Sequence, residues 1–529
     1  MQRWKLMYKN IKFIFVAIAF FSVFVLAGCL GDNKEQVDTA EKKQLIYAVE
    51  SEIKKVNPIL DESQEIDTLL FRGLTKPDEN NNPQPDLAES WNISEDNLTY
   101  TFQLRKDAVW QDGQPVTAKD VAFTFNKIID PSTNTPISGE FNQLKSIEAT
   151  EDYEIVITLH HPYPPLLDKL KVGIVPEHIL RNENINETDF NQNPIGNGPF
   201  KLKEWKSDDT IILERNSSYY GPAPKLEEVI FKVVPDANTR VLQLKTGEID
   251  LALLEPNQLA SIHEDDPFTV HEISTADYRA VMYNLRLPLF QDKRVRQAMN
   301  LAVKREELVT GVLAGKGEPA YGPLQKSWAG IPQKEWYTYD PEKAQQLLIE
   351  AGWVKGADGI LTKDGERFEF ELVSPIQDKV RVALANVVSE QLKPLGIIAV
   401  PKPIDQHAVD YDGEDALIIG WGSEFDPDDH TYRLFHSNEI GDGKYNFGAY
   451  QNQTVDELLI KARTATNTED RKNYYRKFQE ELAIDPAYNF LVYLDALYGV
   501  NKNVSGISNR TLGHHGFGIL WNIEEWDKE

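Results

Sequence analysis

The stretch at residues 87–125, LAESWNISEDNLTYTFQLRKDAVWQDGQPVTAKDVAFTF, carries the clearest local structure in this chain. Apolar and polar residues alternate in TYTFQLR at 99–105, and this period of two predicts a half-buried strand. An Asp-Gly turn follows at 112–113. Thr117 with Asp120 three residues later is typical of a capping box, so we expect a helix to begin there. The stretch therefore predicts a strand, a turn and a helix.

The amino-acid sequence of this stretch also resembles a segment near the start of the bacterial extracellular solute-binding proteins of family 5, which serve oligopeptide, dipeptide and nickel ABC importers. The shared pattern is LA-x-SW, then TYTF-x-LR, then W-x-DG-x-P-x-TA-x-DV. Other segments resemble the same family: VPEHIL at 175–180, NPIGNGPF at 193–200, KTGEID at 245–250, YDPEKAQQLLIEAGW at 339–353 and YNFGAY at 445–450. The resemblance covers roughly residues 45–526 and is greatest to the oligopeptide-binding members.

Length and local patterns agree with an α/β protein of more than one domain. The chain has 529 residues, 41% of them hydrophobic, which is enough for a large core. Residues 368–420 alternate strand, helix and strand patterns, which favours an α/β fold. The net charge of −27 argues against nucleic acid or an anionic lipid surface as a partner.

By this resemblance, the expected fold class is α/β, a two-lobe periplasmic-binding-protein-like fold with an extra inserted subdomain. The ligand cleft lies between lobes joined by two crossovers, which we place near Tyr283 and Leu497. The expected segments are 45–72, 190–282 and 498–529 for lobe I, 73–189 for the inserted subdomain, and 283–497 for lobe II.

Residues 1–28 read as a signal peptide. A basic start precedes the apolar run Phe13–Leu26, which is short for a membrane span. Leu-Ala-Gly-Cys at 26–29 resembles a lipobox, and this implies that Cys29 becomes the lipid-bearing N-terminus of a lipoprotein. A plain signal peptide or an N-terminal anchor is the alternative. Cys29 is the only cysteine, so no internal disulfide can form, and residues 29–44 predict a flexible tether.

The resemblance also implies where the protein works and with what. The lipid on Cys29 would hold it to the cell membrane on the extracytoplasmic face, outside the cell or in the periplasm. The ligand would pass to ABC-importer permease subunits and, through them, engage the ATPase subunits. We expect a monomer with no cofactor and no nucleic-acid partner.

The site candidates follow the buried strand at 415–420, since function in open α/β sheets sits beyond the carboxyl ends of strands. The resemblance implies a Trp here, followed by an acid that binds the ligand's amino group. The candidates are Trp421, Gly422, Ser423, Glu424 and Asp426. Glu424 is the favoured acid for the amino group, and the alternative for Asp426 is a structural role. Asp428 and Asp429 are expected to cap the next helix.

Three further candidates come from the resemblance alone. Tyr283 and Asn284 lie where we place the first crossover. Ser51, next to Glu52, falls where the family brings a backbone segment to the cleft.

A short peptide is the expected ligand. Peptide backbone can pair with strand edges regardless of sequence, an acid can take the ammonium, and wet pockets tolerate varied side chains. The alternative is a nickel chelate or another small solute. The acids and histidines from Asp426 to His436 lack EF-hand spacing and its glycine. His514-His515 offers another pair, but histidine content alone decides little, so no metal site of the protein's own is predicted.

Two other functional classes are an exported hydrolase and a sensory or adhesive lipoprotein. An exported hydrolase would need catalytic residues, but HExxH, GxSxG and a Cys/His pair are absent from the sequence. A carboxylate-pair glycosidase stays open on sequence grounds. A sensory or adhesive lipoprotein could use the same fold without a transporter. The resemblance favours a binding protein, and we expect no catalytic residue.

Overall fold

The structure is a computed structural model that describes residues 42–60, 65–332, 336–422 and 424–529. The predicted signal peptide, the lipidation candidate Cys29, most of the predicted tether and the site candidate Ser423 lie outside the described residues. Within the described ranges, no helix combines the length and the apolar character needed to cross a membrane.

The described residues form a mixed α/β structure. In chain order, the strands are β1 (Gln44–Val49), β2 (Thr75–Pro77), β3 (Pro83–Pro85), β4 (Ala88–Ile93), β5 (Thr99–Leu104), β6 (Leu144–Glu151), β7 (Glu154–Leu159), β8 (Phe200–Lys206), β9 (Thr210–Arg215), β10 (Glu228–Val233), β11 (Leu251–Leu254), β12 (Phe268–Tyr283), β13 (Gly317–Pro319), β14 (Val354–Lys355), β15 (Leu361–Lys363), β16 (Glu366–Arg367), β17 (Glu369–Pro375), β18 (Ile398–Ile404), β19 (Ala416–Trp421), β20 (Tyr488–Asn501), β21 (Val504–Ser505) and β22 (Asp527–Lys528). The α-helices are α1 (Glu65–Leu70), α2 (Ala118–Ile129), α3 (Leu166–Lys169), α4 (Glu177–Leu180), α5 (Ala237–Thr246), α6 (Pro288–Gln291), α7 (Lys293–Leu301), α8 (Arg305–Val312), α9 (Pro341–Glu350), α10 (Lys379–Leu392), α11 (Tyr432–Phe435), α12 (Gln453–Thr464) and α13 (Thr468–Ile484).

One large sheet runs through the molecule, in the order β18-β17-β19-β12-β20-β11-β1-β10-β9-β8, with β13 paired to β20. Its two central strands, β12 and β20, have 16 and 14 residues and pair antiparallel from Phe268↔Asn501 to Met282↔Tyr488. Strands from the two halves of the chain flank this pair on opposite sides. The long pair is therefore the connection between the halves.

The apolar cores define two lobes. Two core clusters draw on residues 45–273 and 496–526, and two others draw on residues 278–493. The chain thus changes lobe within the long strands, at 274–278 and 493–496. The predicted crossovers near Tyr283 and Leu497 stand slightly later along the chain.

The first crossover is irregular, and the irregularity draws in the C-terminus. The register of β12 against β20 shifts between Ser274 and Tyr278. In this gap the backbone N–H of Ala276 donates to the carbonyl of Leu512 at 2.8 Å. The segment that follows Leu512 is thereby fixed beside the hinge.

The stretch at 87–125 folds as its pattern predicts. It supplies β5 and α2, and the capping box is formed, since the Thr117 N–H donates to the Asp120 carboxylate at 2.8 Å. A separate antiparallel sheet, β4-β5-β7-β6, carries α2 on its surface. The buried residues of this inserted subdomain belong to the same apolar core as lobe I, so the two form one continuous core.

Candidate functional site

The candidate site lies where β19 ends, next to the first crossover. Trp421 closes β19 and pairs with Tyr278 of β12. We call residues 421–433 the cleft loop. A Cβ atom on Gly422 would lie 2.6 Å from the carbonyl oxygen of Ala276, so only glycine lets the loop pass this close to the crossover. The sheet and the hinge together fix where the cleft loop begins.

Aromatic and imidazole rings from both lobes meet at Trp421. The ring of His514, from lobe I, stacks on it with centroids 6.3 Å apart and planes at 23°. His430 and Tyr445, from lobe II, lie with centroids 5.6 Å away. Trp421, predicted from the sequence, is therefore the place where the lobes face each other across the cleft.

Two guanidinium groups that the sequence reading missed lie over the end of β19. Arg279 comes from β12 and Arg381 from the first turn of α10. A Cβ atom on Gly420 would stand 2.5 Å from Arg279 Nη1 and 3.0 Å from Arg381 Nη2, so this glycine makes room for both. Asp378 contacts both groups, 3.5 Å from Arg279 Nη2 and 2.9 Å from Arg381 Nε.

Arg381 is the less satisfied of the two. Burial, and then the charge of Arg279, lower its pKa to about 10. Although Asp378 lies 2.9 Å away, the buried Arg381 Nε forms no hydrogen bond within the described residues. Burial also disfavours the charge of Arg279, but Asp277 and Asp378 outweigh it and raise that pKa. A buried guanidinium group beside a second guanidinium is a strong site for a carboxylate.

Two adjacent histidines of lobe I complete this part of the site. His514 Nδ1 lies 2.7 Å from Asp277 Oδ1, and the backbone N–H of His515 donates to Asp277 Oδ2 at 3.0 Å. Burial lowers the pKa of His514, and the charge of His514 lowers that of His515. Burial lowers the pKa of His430 to about 4. These imidazoles are neutral near pH 7 and can act as transition-metal ligands.

Glu424 faces the C-terminal segment of lobe I. Its Oε1 would lie 2.5 Å from a Cβ atom on Gly513, so the carboxylate packs on glycine backbone. Burial raises its pKa, and the charge of Lys171 opposes this rise. In the part of the chain that is described, its carboxylate forms no ion pair and no hydrogen bond with another side chain. Glu424 is therefore available to a cationic group of a ligand.

Asp426 has a different environment. Arg471 binds both its oxygens, with Nη1–Oδ2 at 2.6 Å and Nη2–Oδ1 at 2.7 Å, and the Asp428 N–H donates to Oδ1 at 2.9 Å. Both charged groups are buried. The sequence left open whether Asp426 binds the ligand or has a structural role, and this geometry favours the structural role.

The expectation that Asp428 and Asp429 cap a helix is wrong. The N-cap of α11 is Thr431, and its side chain makes no capping hydrogen bond. Asp428 instead accepts from Tyr163 at 2.9 Å, and Asp429 pairs with Lys169. Their partners lie in the inserted subdomain, so both acids join the lobes.

The structure does not bring Tyr283 and Asn284 to this site. Tyr283 pairs with Ala416 at the opposite end of β19, and its buried ring stacks on Phe290. The Asn284 amide donates to two carbonyls at 412 and 414. Ser51 is exposed after β1. The crossover lies before Tyr283, which explains why Tyr283 and Asn284 are remote from Trp421.

No described group of three or more His, Cys, Asp or Glu side chains is arranged to hold a metal ion by itself. The two lobes, the paired crossover strands and the interlobe cleft define a solute-binding protein of the type 2 periplasmic-binding fold. The family description "bacterial extracellular solute-binding proteins, family 5 Middle" matches residues 82–442. This chain belongs to that family, whose members are non-enzymatic binding components of ABC transporters.

Similar proteins hold ligands of different kinds. The oligopeptide-binding protein AppA of Bacillus subtilis is 34% identical over 490 residues, 88% of this chain and 87% of that protein. NikZ from Campylobacter jejuni, solved in complex with Ni(L-His), is 40% identical with a TM-score of 0.86, covering 92% of this chain and 100% of that chain. AppA with a nonapeptide is 32% identical with a TM-score of 0.80, covering 92% and 99%.

Proposed function

We propose that this chain is the ligand-capturing component of an ABC importer and that its ligand is a small metal chelate carrying carboxylates, of the nickel–amino-acid type. The observation that carries this proposal is the buried pair Arg279 and Arg381 beside His514 and His515. Two guanidinium groups repel a bare metal cation but bind the carboxylates that a chelate brings with it. Neutral imidazoles can then complete the coordination of the metal.

Hinge closure would couple this ligand to the state of the protein. Arg279 and Arg381 belong to lobe II, whereas His514 and His515 belong to lobe I. A ligand that touches both sets does so only when the cleft is shut, so its binding favours the closed form. The flat face of Trp421 suits the apolar ring of a chelating group. Likeness to NikZ supports this reading.

We place the protein on the extracytoplasmic face, held by lipid on Cys29, with its ligand passed to permease subunits. The lipobox at 26–29 supports this placement. Replacing Cys29 with Ala should release the protein into the medium or periplasm and abolish incorporation of labelled palmitate. Retention of both membrane association and label would contradict the anchor.

A short peptide is the second candidate, and Glu424 favours it. Its half-buried carboxylate is available for an α-ammonium group, and the guanidinium pair could take a C-terminal carboxylate. Likeness to AppA supports this candidate. The peptide would then be short, since its amino end must reach Glu424 and its carboxyl end must reach the guanidinium pair, and both lie near the end of β19.

Native mass spectrometry of the full chain, extracted in detergent from its own cells, separates the two candidates. An adduct with the nickel isotope pattern supports the chelate. A ladder of masses that fragment as peptides overturns it in favour of the peptide. If the extracted protein is bare, titration with nickel–L-histidine and with di- to nonapeptides decides. Binding of neither would contradict both candidates.

A further inference from the structure

A second pair of cations approaches the cleft loop from lobe I. Lys171, just after α3, places its ammonium nitrogen 3.1 Å from the ring centroid of Phe425. Arg510, in the C-terminal segment, has its guanidinium carbon 6.0 Å from the same centroid. Both side chains are half-buried, so Phe425 of lobe II contacts two sheltered cations of lobe I.

These cations have little to satisfy them within the protein. Arg510 Nε and Nη1 are buried and form no hydrogen bond in the described part of the chain. Neither Arg510 nor Lys171 forms an ion pair there. Glu424 is the strongest opposing charge on each, but it lies beyond contact distance. Contact with the aromatic face of Phe425 offsets only part of the cost of desolvating two charges.

Burial disfavours the charged form of both groups, and two nitrogens of Arg510 lack an acceptor. It lowers the pKa of Arg510 to about 10 and lowers the pKa of Lys171. An ammonium and a guanidinium offer only donors, and buried donors are normally paired. A carboxylate supplies acceptor lone pairs and the missing negative charge together.

We infer that Lys171 and Arg510 bind a second carboxylate of the ligand. The short run 510–515 links them to the first site, because Gly513 contacts Glu424 and His514 bonds to Asp277, the partner of Arg279. A metal held near His514 and His515 would thus have the guanidinium pair toward one end of this run, and Lys171 and Arg510 toward the other. The ligand class is a chelate with at least two carboxylates, such as a metal bound by two amino acids. This inference rests on the proposed function and makes its substrate more specific.

The test uses the full chain with nickel(II) and two equivalents of L-histidine, followed by tryptophan fluorescence. Lys171→Met and Arg510→Met should each raise the Kd on the order of tenfold, the size of a lost charged hydrogen bond. Each should also make the Kd less sensitive to NaCl, since one cation fewer attracts the ligand. Lys106→Met is the matched control, because Lys106 also lies over a ring, that of Tyr153 at 6.0 Å, and should leave the Kd unchanged.

Wild-type Kd values in both cleft variants would overturn the inference. Failure of the wild type to bind nickel–histidine would instead count against the proposed function. A second measurement then tests the subsite without metal, by NMR of protein whose lysines carry ¹³C-dimethyl groups. The Lys171 signal is assigned as the one that is missing from the spectrum of Lys171→Arg. It should shift saturably with sodium succinate in the wild type and not in Arg510→Met. A signal that succinate does not move would overturn the inference on its own.

Discussion

Lys169 of the inserted subdomain forms an ion pair with Asp429 of the cleft loop, and its ammonium nitrogen also lies 2.8 Å from Glu140 Oε2. Arg433 of the cleft loop reaches the same Glu140 at 3.2 Å. Buried Lys169 therefore joins one acid of each lobe. Since these contacts join the two lobes beside the ligand site, we expect them to influence how readily the empty cleft shuts.

Lys169→Met should weaken ligand binding by opening the empty protein. Losing one partner of a buried ion pair destabilises the closed form by about 3–5 kcal/mol. Water solvates the remaining charges once the lobes separate and offsets a part of that cost. We therefore expect the Kd to rise on the order of tenfold. Spin-label distances between the lobes of the unliganded protein should lengthen.

Lys402→Met is the matched control for Lys169→Met. It breaks an exposed pair with Glu371 inside lobe II, at 2.7 Å, and should change neither the distance nor the Kd. Unaltered distances in Lys169→Met would show that these contacts do not hold the lobes together.

Closure should also depend on pH through Asp168 of α3. Burial, and then the charge of Asp426 across the interface, raise its pKa to about 7, well above the usual value for a carboxyl group. Lys171 and Lys169 oppose this rise, and Asp429 adds to it. A carboxyl group whose pKa is higher in the closed form takes up a proton on closing.

The unliganded lobes should therefore be closer at pH 6 than at pH 8, with a midpoint near 7. Lowering the pH protonates Asp168 and removes its repulsion, whereas raising the pH through 7 restores it. Asp168→Asn should abolish the dependence between these two pH values. A variant that keeps the wild-type pH profile would assign the effect to another group.

Asp426 and Glu424 should behave differently when neutralised. Asp426→Asn leaves Arg471 buried without its bidentate partner, and we expect a loss of about 3–5 kcal/mol in the free energy of unfolding. Glu424→Gln should leave stability close to that of the wild type, because its carboxylate forms no ion pair in the described structure. Urea denaturation measures both. A larger loss for Glu424→Gln would reverse the assigned roles.

Gly422→Ala should displace the cleft loop from the crossover. The new methyl group would meet backbone atoms of Ala276, and overpacking of this kind costs roughly 1–3 kcal/mol. Gly139→Ala is the control, since a Cβ atom there meets nothing within 4 Å. Thermal unfolding with and without ligand should show a loss only for Gly422→Ala. Equal melting temperatures would mean that the loop accommodates the methyl group elsewhere.

The local periodicity and the family resemblance were sufficient to predict β5, α2 and the two-lobe fold. These features depend on short patterns, in which neighbours in sequence are neighbours in space. The precise crossover did not follow, because a register shift between paired strands depends on both strands at once. That error placed Tyr283 and Asn284 in the site.

The guanidinium pair was missed for a similar reason. Arg279 and Arg381 belong to distant elements that meet only over the end of β19. A signal was present, since Arg279 interrupts an apolar strand, and a charge inside a buried strand needs a partner. Asp426 shows the complementary limit: the arginine that binds it, Arg471, lies 45 residues further along the chain. Sequence spacing could not separate it from Glu424.

The central claim is that the guanidinium pair binds the carboxylate of a metal chelate, and one calorimetric titration tests it most directly. Wild type and Arg381→Met are each titrated with nickel(II) complexes of L-histidine and of L-histidinamide, which keeps the metal-binding nitrogens but lacks the carboxylate charge. We predict tight binding only for wild type with nickel–L-histidine, and a loss of at least about tenfold when either the carboxylate or Arg381 is removed. Equal affinity of the wild type for both complexes would contradict the claim.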